Sequence, residues 1–466
     1  MPDTVFRDVE VAGRGGGVAV DVHVRDATVV AVGEVPHVPG AQVVEARGGA
    51  LLPGLHDHHL HLLATAAGAA SVDCGPRVRD REELAAALRS APGAWVRGVN
   101  YHERSAGDLD RYALDALVPD RPVRIQHRSG ALWMLNSRAL ALAEHVLDRS
   151  PDVERDAAGA PTGRLWRYDA RLRPALPRTV SDLGPLGRTL LSYGVTGITD
   201  ATPNLDTGAL MLLGHEALPQ KVLLLGAPDG VPVPSGLRAG PRKLHLRDHD
   251  LPGLGELTET VAASHRLGRP VAVHCVTAES LVLTVAALRA AGVLPGDRIE
   301  HAAVVLPGLA ADLAQLDVAV VTQPGFVRER GDDYLRAVEP GELPYLYPYR
   351  SLIDAGVRVA PSSDAPHASP DPWRTIADAD RVTSGGVVLG ADEQVGRAAV
   401  LAGYLSPADH PGGPVRQVRP GSAADLCLLW TPLAQALAAA PANPVRLTMT
   451  GGRLHALGSP SEDTLD

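Results

Sequence analysis

The chain has 466 residues, 45% of them apolar and 21% charged, enough to bury a large core in one barrel-sized domain with accessories or in about three ordinary domains. A formal charge of -10 argues against a sequence-independent hold on nucleic acid or anionic lipid, because both need a basic surface. No stretch approaches the roughly 18 uninterrupted apolar residues of a membrane span, and the opening MPDTVFRDVEVAGRGGG lacks the basic-then-apolar run of a secretory signal, so a cytoplasmic protein with a small-molecule substrate is expected.

Residues 1–50 alternate in short runs, VEVAG, VAVDVHV, ATVVAVG and AQVVEA, separated by glycine and acidic turns, which is the pattern of antiparallel strands. The stretch 418–457 repeats it in ADLCLLW and PVRLTMTGGRLHAL, so residues 1–50 and 373–466 are expected to join as one small β-sandwich that includes the C-terminal helices. Between them GALLPGLHDHHLHL, GVTGITDAT, KVLLLGAP, RKLHLRD, PVAVHCVT, RIEHAAV, VAVVTQP and VRVAPSSD give eight apolar strands, with helical segments between the last seven. Parallel strands covered on both faces read as unbroken apolar runs, and eight with intervening helices predict an α/β fold, a (β/α)8 TIM-like barrel over 51–372. A doubly wound sheet is the alternative. Residues 62–185 break the rhythm and read as an insertion between the first two strands, with helices in REELAAALRS and ALWMLNSRALALAEHVL. Cys74, Cys275 and Cys427 are odd in number and far apart, neither a disulfide framework nor a metal knuckle.

Reactive groups of such a barrel sit where its strands end. The first strand ends in LHDHHLHL, where period two puts Asp57, His59 and His61 on one face and His56 and His58 on the other, so two registers are open. Asp57 decides, because a carboxylate in phase with two imidazoles can orient them from behind; His59 and His61 are then the ligands of a Zn²⁺-like ion. His274 in VAVHCV and His301 in RIEHA end two successive strands. Each alone reads as a hydrogen-bonded core residue, but together with the upstream pair they read as further ligands. Asp364 ends the eighth strand in SSDAP, where a helix cap is the plainer reading and Ser362 or Ser363 could cap equally well.

Of 44 basic residues only Lys221 and Lys243 are lysine. A free ammonium among four imidazoles and a metal would be repelled, so Lys243 either points away or carries a carbamate, an anionic bridge between two metals that arginine cannot form. An ordinary basic residue at a strand edge is the plainer reading.

PGLHDHHLH, a strand lysine, VAVHCV, IEHA and SSDAP, in that order, resemble the ligand pattern of the amidohydrolase superfamily, whose members have a metal-bearing (β/α)8 barrel and a small β-sandwich built from both chain ends. WVRGVNYHE at 95–103, LDALVPDRPVRIQHRSGALWMLNSRAL at 114–140 and DAGVRVAPSSDAPHASPDPW look like its amidohydrolase-3 branch, the N-substituted formamide deformylase-like enzymes, and Gly421 to Leu426 resembles a GxxADL run. The resemblance implies two divalent ions, zinc by expectation. His59 and His61 would hold the first, His274 and His301 the second, with carboxylated Lys243 bridging and Asp364 binding metal and moving protons. It departs from that branch at Ser129, Gly130 and Ala131, which replace an Asp-Gly-His run, and at His249 after Asp248, which shortens a lid-like loop.

The implied activity is hydrolysis of a non-peptide carbon–nitrogen bond of the amide type, by a metal-activated hydroxide with Asp364 as proton shuttle. Rival readings are a one-metal deaminase or decarboxylase of the same fold, and a non-catalytic assembly protein. Trp133, Asn136, His245, Arg328, Arg350 and His367 are candidate substrate contacts, and Arg328, Arg330 and Arg350, clustered after the seventh strand, allow an anionic substrate. Self-association into a homo-oligomer stays open.

Overall fold

The computed structural model describes residues 2–13, 19–75, 78–176, 182–215 and 218–456. The chain forms two compact units, one from residues 1–62 and 183–466, the other from 63–182.

In the first unit the two chain ends build one eight-stranded sheet. Its order is Arg453–Ala456, Val445–Thr450, Leu426–Leu429, Ala50–Pro53, Thr4–Val11, Val20–Arg25 and Thr28–Gly33, with Gln42–Glu45 paired to Thr4–Val11. Alternation explains its core: Phe6, Val22, Val24, Leu51, Leu426, Leu428 and Met449 turn to one buried cluster.

The remaining strands of this unit are parallel. One set has the order Leu237–Ala239, Lys221–Leu224, Val195–Asp200, Leu55–Leu60, the other Arg242–His245, Val271–Cys275, Arg298–His301, Ala319–Thr322, Val359–Pro361. Backbone hydrogen bonds link their edges: Lys243 N donates to Leu225 O at 3.0 Å, Asp364 N to His59 O at 2.8 Å and His61 N to Ala365 O at 2.9 Å. Leu55–Leu60, Val195–Asp200, Arg298–His301 and Ala319–Thr322 are buried at every position. With both faces covered, a polar or charged residue in one of them, as in LHDHHL or RIEH, needs a partner. Helices fill the connections, among them Leu254–Arg266, Gly325–Ala337 and Ala278–Ala291, the last opened by a capping box of Thr277 and Ser280.

Two boundaries differ from the sequence reading. GALLPGLHDHHLHL is two strands. Ala50–Pro53 pairs antiparallel with Leu426–Leu429 in the terminal sheet, and the chain breaks at Gly54, where a Cβ would come within 2.2 Å of Thr196. The helix Arg397–Tyr404, assigned to the terminal domain, packs instead on the parallel strands Val359–Pro361 and Leu55–Leu60; Gly403 lets it approach Pro361, whose Cδ would stand 2.2 Å from an added Cβ.

The second unit has a six-stranded sheet of order Val153–Arg155, Pro161–Trp166, Leu132–Leu135, Val123–His127, Val96–Tyr101, Val72–Asp73. REELAAALRS is the helix Arg81–Ser90, capped by Asp80, whose carboxylate accepts from Glu82 N and Glu83 N. ALWMLNSRALALAEHVL does not form one helix. Leu132–Leu135 is a strand, and the helix starts at Ser137 because the Asn136 side chain caps it by accepting from Ala139 N. Among the described residues no helix is long and apolar enough to cross a membrane, and all three cysteines are buried and unpaired.

Candidate metal centre

His59, His61 and Asp364 come together at one end of the parallel strands: His61 Nε2 lies 3.3 Å and His59 Nε2 3.5 Å from Asp364 Oδ1. His59 Nδ1 donates to the buried Glu300 carboxylate, which fixes the proton on Nδ1 and leaves the Nε2 lone pair directed toward Asp364. His61 Nδ1 stands 3.3 Å from Thr202 Oγ1. His301 Nδ1 donates to Gln323 Oε1 at 2.9 Å, and Gln323 Nε2 donates to Ser362 Oγ at 3.0 Å, so that amide cannot turn over. The His301 ring lies 4.8 Å from that of His59 and 4.4 Å from that of His274, centroid to centroid.

Backbone conformation accounts for His301. In register, His245, His274 and Glu300 stand side by side on adjacent strands, one step along from Lys243, Ala272 and Arg298. Strict alternation therefore gives the shared face to Glu300 and denies it to the next residue. His301 and Ala302 adopt φ of 73° and 46°, leaving strand geometry, and the His301 ring returns to the cluster. Asp364 is likewise left-handed, with φ 52°. Three non-glycine residues in this strained region at one site are held by the structure around them.

Burial sets the charge states. His59 is pushed down to about 3 by desolvation and by the Lys243 charge, and burial likewise keeps His274 and His301 below the usual histidine value. Near neutral pH these three rings are neutral imidazoles, the form that binds metal. Burial alone would raise Asp364, but His59, His61, His367 and His301 hold it well below the usual carboxylate range. The Lys243 amine is buried and hydrogen-bonds to nothing; desolvation lowers its pKa, while the Glu300 and Asp364 charges pull the other way.

These observations test whether a divalent ion fits. Asp364 Oδ1 is buried and accepts no hydrogen bond, an expense a protein rarely tolerates without an ion or water. Donors about 2.0–2.1 Å from a tetrahedral ion stand about 3.4 Å from one another. The 3.3 and 3.5 Å separations match that edge, and the donor set of two imidazole nitrogens and one carboxylate is that of a zinc-type centre. The residues fit.

The opposite face of the first strand is structural. His56 Nε2 stands 2.9 Å from Thr199 Oγ1, its ring laid over Gly197, and His58 Nε2 donates to Gly403 O at 3.1 Å. Asp57 does not orient imidazoles. Its carboxylate accepts from Ser363 Oγ at 2.5 Å, Ser363 N at 3.2 Å and His59 N at 3.2 Å, so it pins the backbone beside Asp364; burial raises its pKa to about 6. The imidazole-orienting carboxylate is Glu300, which the sequence reading passed over. A signal existed: Arg298 and Glu300, two residues apart in a strand otherwise written as core, share a face and pair through Arg298 Nε at 2.5 Å. Gln323 and Thr202 carried no such signal.

Of the candidate substrate contacts, His245 stacks on His274 at 4.5 Å and 9°, and His367 lies 6.1 Å from His61. The other four have protein partners of their own. In the second unit the Trp133 indole donates to Asp169 at 2.7 Å, and buried Asn136 uses its amide on Val123 N, Ala139 N, Val118 O and Arg121 O, so both hold that unit's own fold. Arg328 Nε is tied to Asp378 at 2.9 Å, and Arg350 Nε and Nη2 both reach Gln394 O at 3.2 Å. Lys221, the other lysine, is at the surface, 2.5 Å from Asp425.

The Amidohydrolase family model matches residues 42–455. The N-substituted formamide deformylase of Arthrobacter pascens is 27% identical over 445 residues, covering 80% of this chain and 82% of that protein. Among solved structures, a metal-dependent hydrolase from Pyrococcus horikoshii OT3 superposes with a TM-score of 0.75 at 20% identity, covering 97% of this chain and 100% of its own. N-isopropylammelide isopropylaminohydrolase from Burkholderia multivorans superposes at 0.52 with 18% identity, covering 97% and 98%.

Proposed function

The chain belongs to the amidohydrolase family and is a hydrolase of carbon–nitrogen bonds other than peptide bonds, and from the donor set of its site we propose that it cleaves a substituted amide with Asp364 as the proton shuttle. The reading also takes the two linked parallel sets, with Leu237–Ala239 and Arg242–His245 counted as one interrupted strand, as one closed (β/α)8 barrel and the terminal sheet as a β-sandwich. The hydrogen bonds from Asp364 N to His59 O and from Lys243 N to Leu225 O, which continue the ladders across both gaps, support the closure.

Two divalent ions, zinc by the ligand chemistry, are the proposed cofactors: His59 and His61 would hold one together with Asp364, and His274 and His301 the other. When bound they supply Lewis-acid polarisation of the carbonyl and a water acidified toward neutral pH. Lys243 is the proposed bridge. Its neutral amine adds through the Nζ lone pair to the carbon of dissolved CO₂, a C–O π pair moves onto oxygen, and one N–H proton leaves to solvent. The resulting carbamate anion explains a buried amine without a partner.

Asp364 accepts the proton of the water whose oxygen attacks the carbonyl carbon, and returns it to the leaving nitrogen as the C–N bond breaks. Its depressed pKa keeps it ionised and ready for the first transfer. The observation that carries the proposal is the buried, unbonded Asp364 Oδ1 facing the Nε2 atoms of His59 and His61. N-substituted formamides, the substrates named for the Arthrobacter relative, are the first to try.

A second reading keeps one ion, since His59, His61 and Asp364 alone form a ligand group. The test is elemental analysis of protein prepared with zinc and bicarbonate, together with amine release from a formamide panel by wild type and Asp364→Asn. Two ions and turnover lost in the variant support the proposal; one ion favours the mononuclear centre, and undiminished turnover in Asp364→Asn overturns the shuttle.

A further inference from the structure

Helix Gly325–Ala337 carries Arg328 and Arg330, and of these only Arg328 is committed to a carboxylate, that of Asp378. Arg330 is held differently. Its Cζ lies 4.5 Å from the centroid of the Phe326 ring, one turn earlier, and its Nη2 donates to His367 O at 2.9 Å. His367 N in turn donates to Asp364 O at 2.8 Å. One N–H thus ties the guanidinium to the loop that bears Asp364, and no carboxylate among the described residues lies within ion-pairing distance of it. A guanidinium has five N–H donors in a rigid fork, so most of this one is uncommitted.

The position is informative because it is costly. The site beside it is built to collect cations, and a fixed positive charge near them is repelled unless an anion arrives with the ligand. The charge of Arg330 is felt by His367 and by Tyr347, and both of these also feel Asp364, so all four share one electrostatic neighbourhood. Beside it stands a buried aromatic wall, with Phe326 and Tyr347 edge to face at 5.7 Å and Tyr334 packed against them, in a chain with only two phenylalanines and nine tyrosines. A planar fork with one charge suits a carboxylate monoanion; a dianionic phosphate would call for further cations.

We propose that Arg330 is the specificity residue for a carboxylate borne by the substrate, so that the substrates are amides with an anionic end and an apolar body. This rests on the amide-hydrolase reading of the same site, and the experiment separates the two because it measures binding without turnover. Zinc-loaded enzyme is titrated calorimetrically with phenylacetate and with its neutral analogue 2-phenylethanol, on wild type, Arg330→Met, Arg330→Lys and Arg328→Met. Wild type and Arg328→Met should favour phenylacetate by about tenfold or more, the worth of a charge-assisted forked contact. Arg330→Met should lose most of that preference, and Arg330→Lys, which keeps charge and fold but not the fork, should lose part of it. Phenylacetate favoured equally by wild type and Arg330→Met would put the anion on the metal and overturn the proposal. So would the absence of any preference in wild type, or an undiminished one in Arg330→Lys. A failed formamide panel would count against the hydrolase reading alone.

Discussion

Glu300→Gln isolates the contribution of the residue that sets the His59 tautomer. Glu300 and Arg298 are 0% and 1% exposed; one carboxylate oxygen takes the His59 Nδ1 proton and the other takes Arg298 Nε at 2.5 Å, while Arg298 Nη2 donates to His58 O at 2.9 Å. Glutamine has one acceptor oxygen where two donors now converge. If its amide nitrogen faces His59, the ring must accept at Nδ1 and carry its proton on Nε2, which removes the lone pair a metal needs. If it faces Arg298, two donors oppose each other in a dry interior. Loss of a histidine-orienting carboxylate weakens metal binding by about 10–100-fold, and removing one partner of a buried pair costs about 3–5 kcal/mol. Chelator-competition titration gives the first quantity and urea unfolding of metal-free protein the second. The double variant Glu300→Leu/Arg298→Met should regain much of the stability, since no buried charge is then left unpaired, while metal affinity stays low. A Glu300→Gln protein that binds zinc within about twofold of wild type would refute the tautomer argument.

Register comes next: His59→Ala and His61→Ala should lose metal, whereas His56→Ala and His58→Ala should keep it and lower the melting temperature, as read by elemental analysis and thermal melts. For Lys243, substitution by alanine should abolish the bridge and most turnover, with partial rescue by high acetate or propionate; Lys243→Arg should show no rescue, and an active Lys243→Arg enzyme would mean that a cation suffices there. Acid should destabilise the metal-free protein. His58 and His59 sit at about 3, below their unfolded value near 6.5, so the unfolded chain binds more protons between those limits and stability falls as pH drops from about 6.5 toward 3, by at most about 1.4 kcal/mol per pH unit for each ring. Asp57, raised to about 6, opposes this with the sign of a single carboxylate. Urea unfolding at pH 7, 6 and 5 reads the balance, and a midpoint that rises on acidification would contradict it.

The parallel strands were legible because burial on both faces writes itself as an unbroken apolar run, and the metal-side histidines because they interrupt such runs. What the chain could not announce was how strands are divided and what stands behind a ligand. GALLPGLHDHHLHL reads as one strand, since neither apolarity nor alternation distinguishes Ala50–Pro53 from Leu55–Leu60; only the close approach at Gly54 separates a strand of the terminal sheet from a strand of the parallel set. The second unit was hidden for a related reason. Its strands of two to six residues are too short for a period-two pattern to show, and Leu132–Leu135 borrows the apolar character of the helix that follows it.

Parity explains the most consequential omission. Reading a strand by alternation offers a choice between Glu300 and His301 for the shared face, and a histidine ending an apolar strand is the more conspicuous of the two. The chain places both there: Glu300 arrives by alternation, and His301 by a left-handed turn at φ 73°, which histidine tolerates better than most residues but which its identity alone does not demand. There the His301 Nδ1–H donates to Gln323, whose amide is fixed in turn by Ser362. These partners lie 22 and 61 positions away in sequence. A metal-type centre of this kind is therefore legible in its ligands, which must be particular residue types, and illegible in its supports, which need only an acceptor at the right point in space. Asp57 was given the role Glu300 performs because both are carboxylates in phase with a histidine, and only the backbone path at Ser363 decides between them.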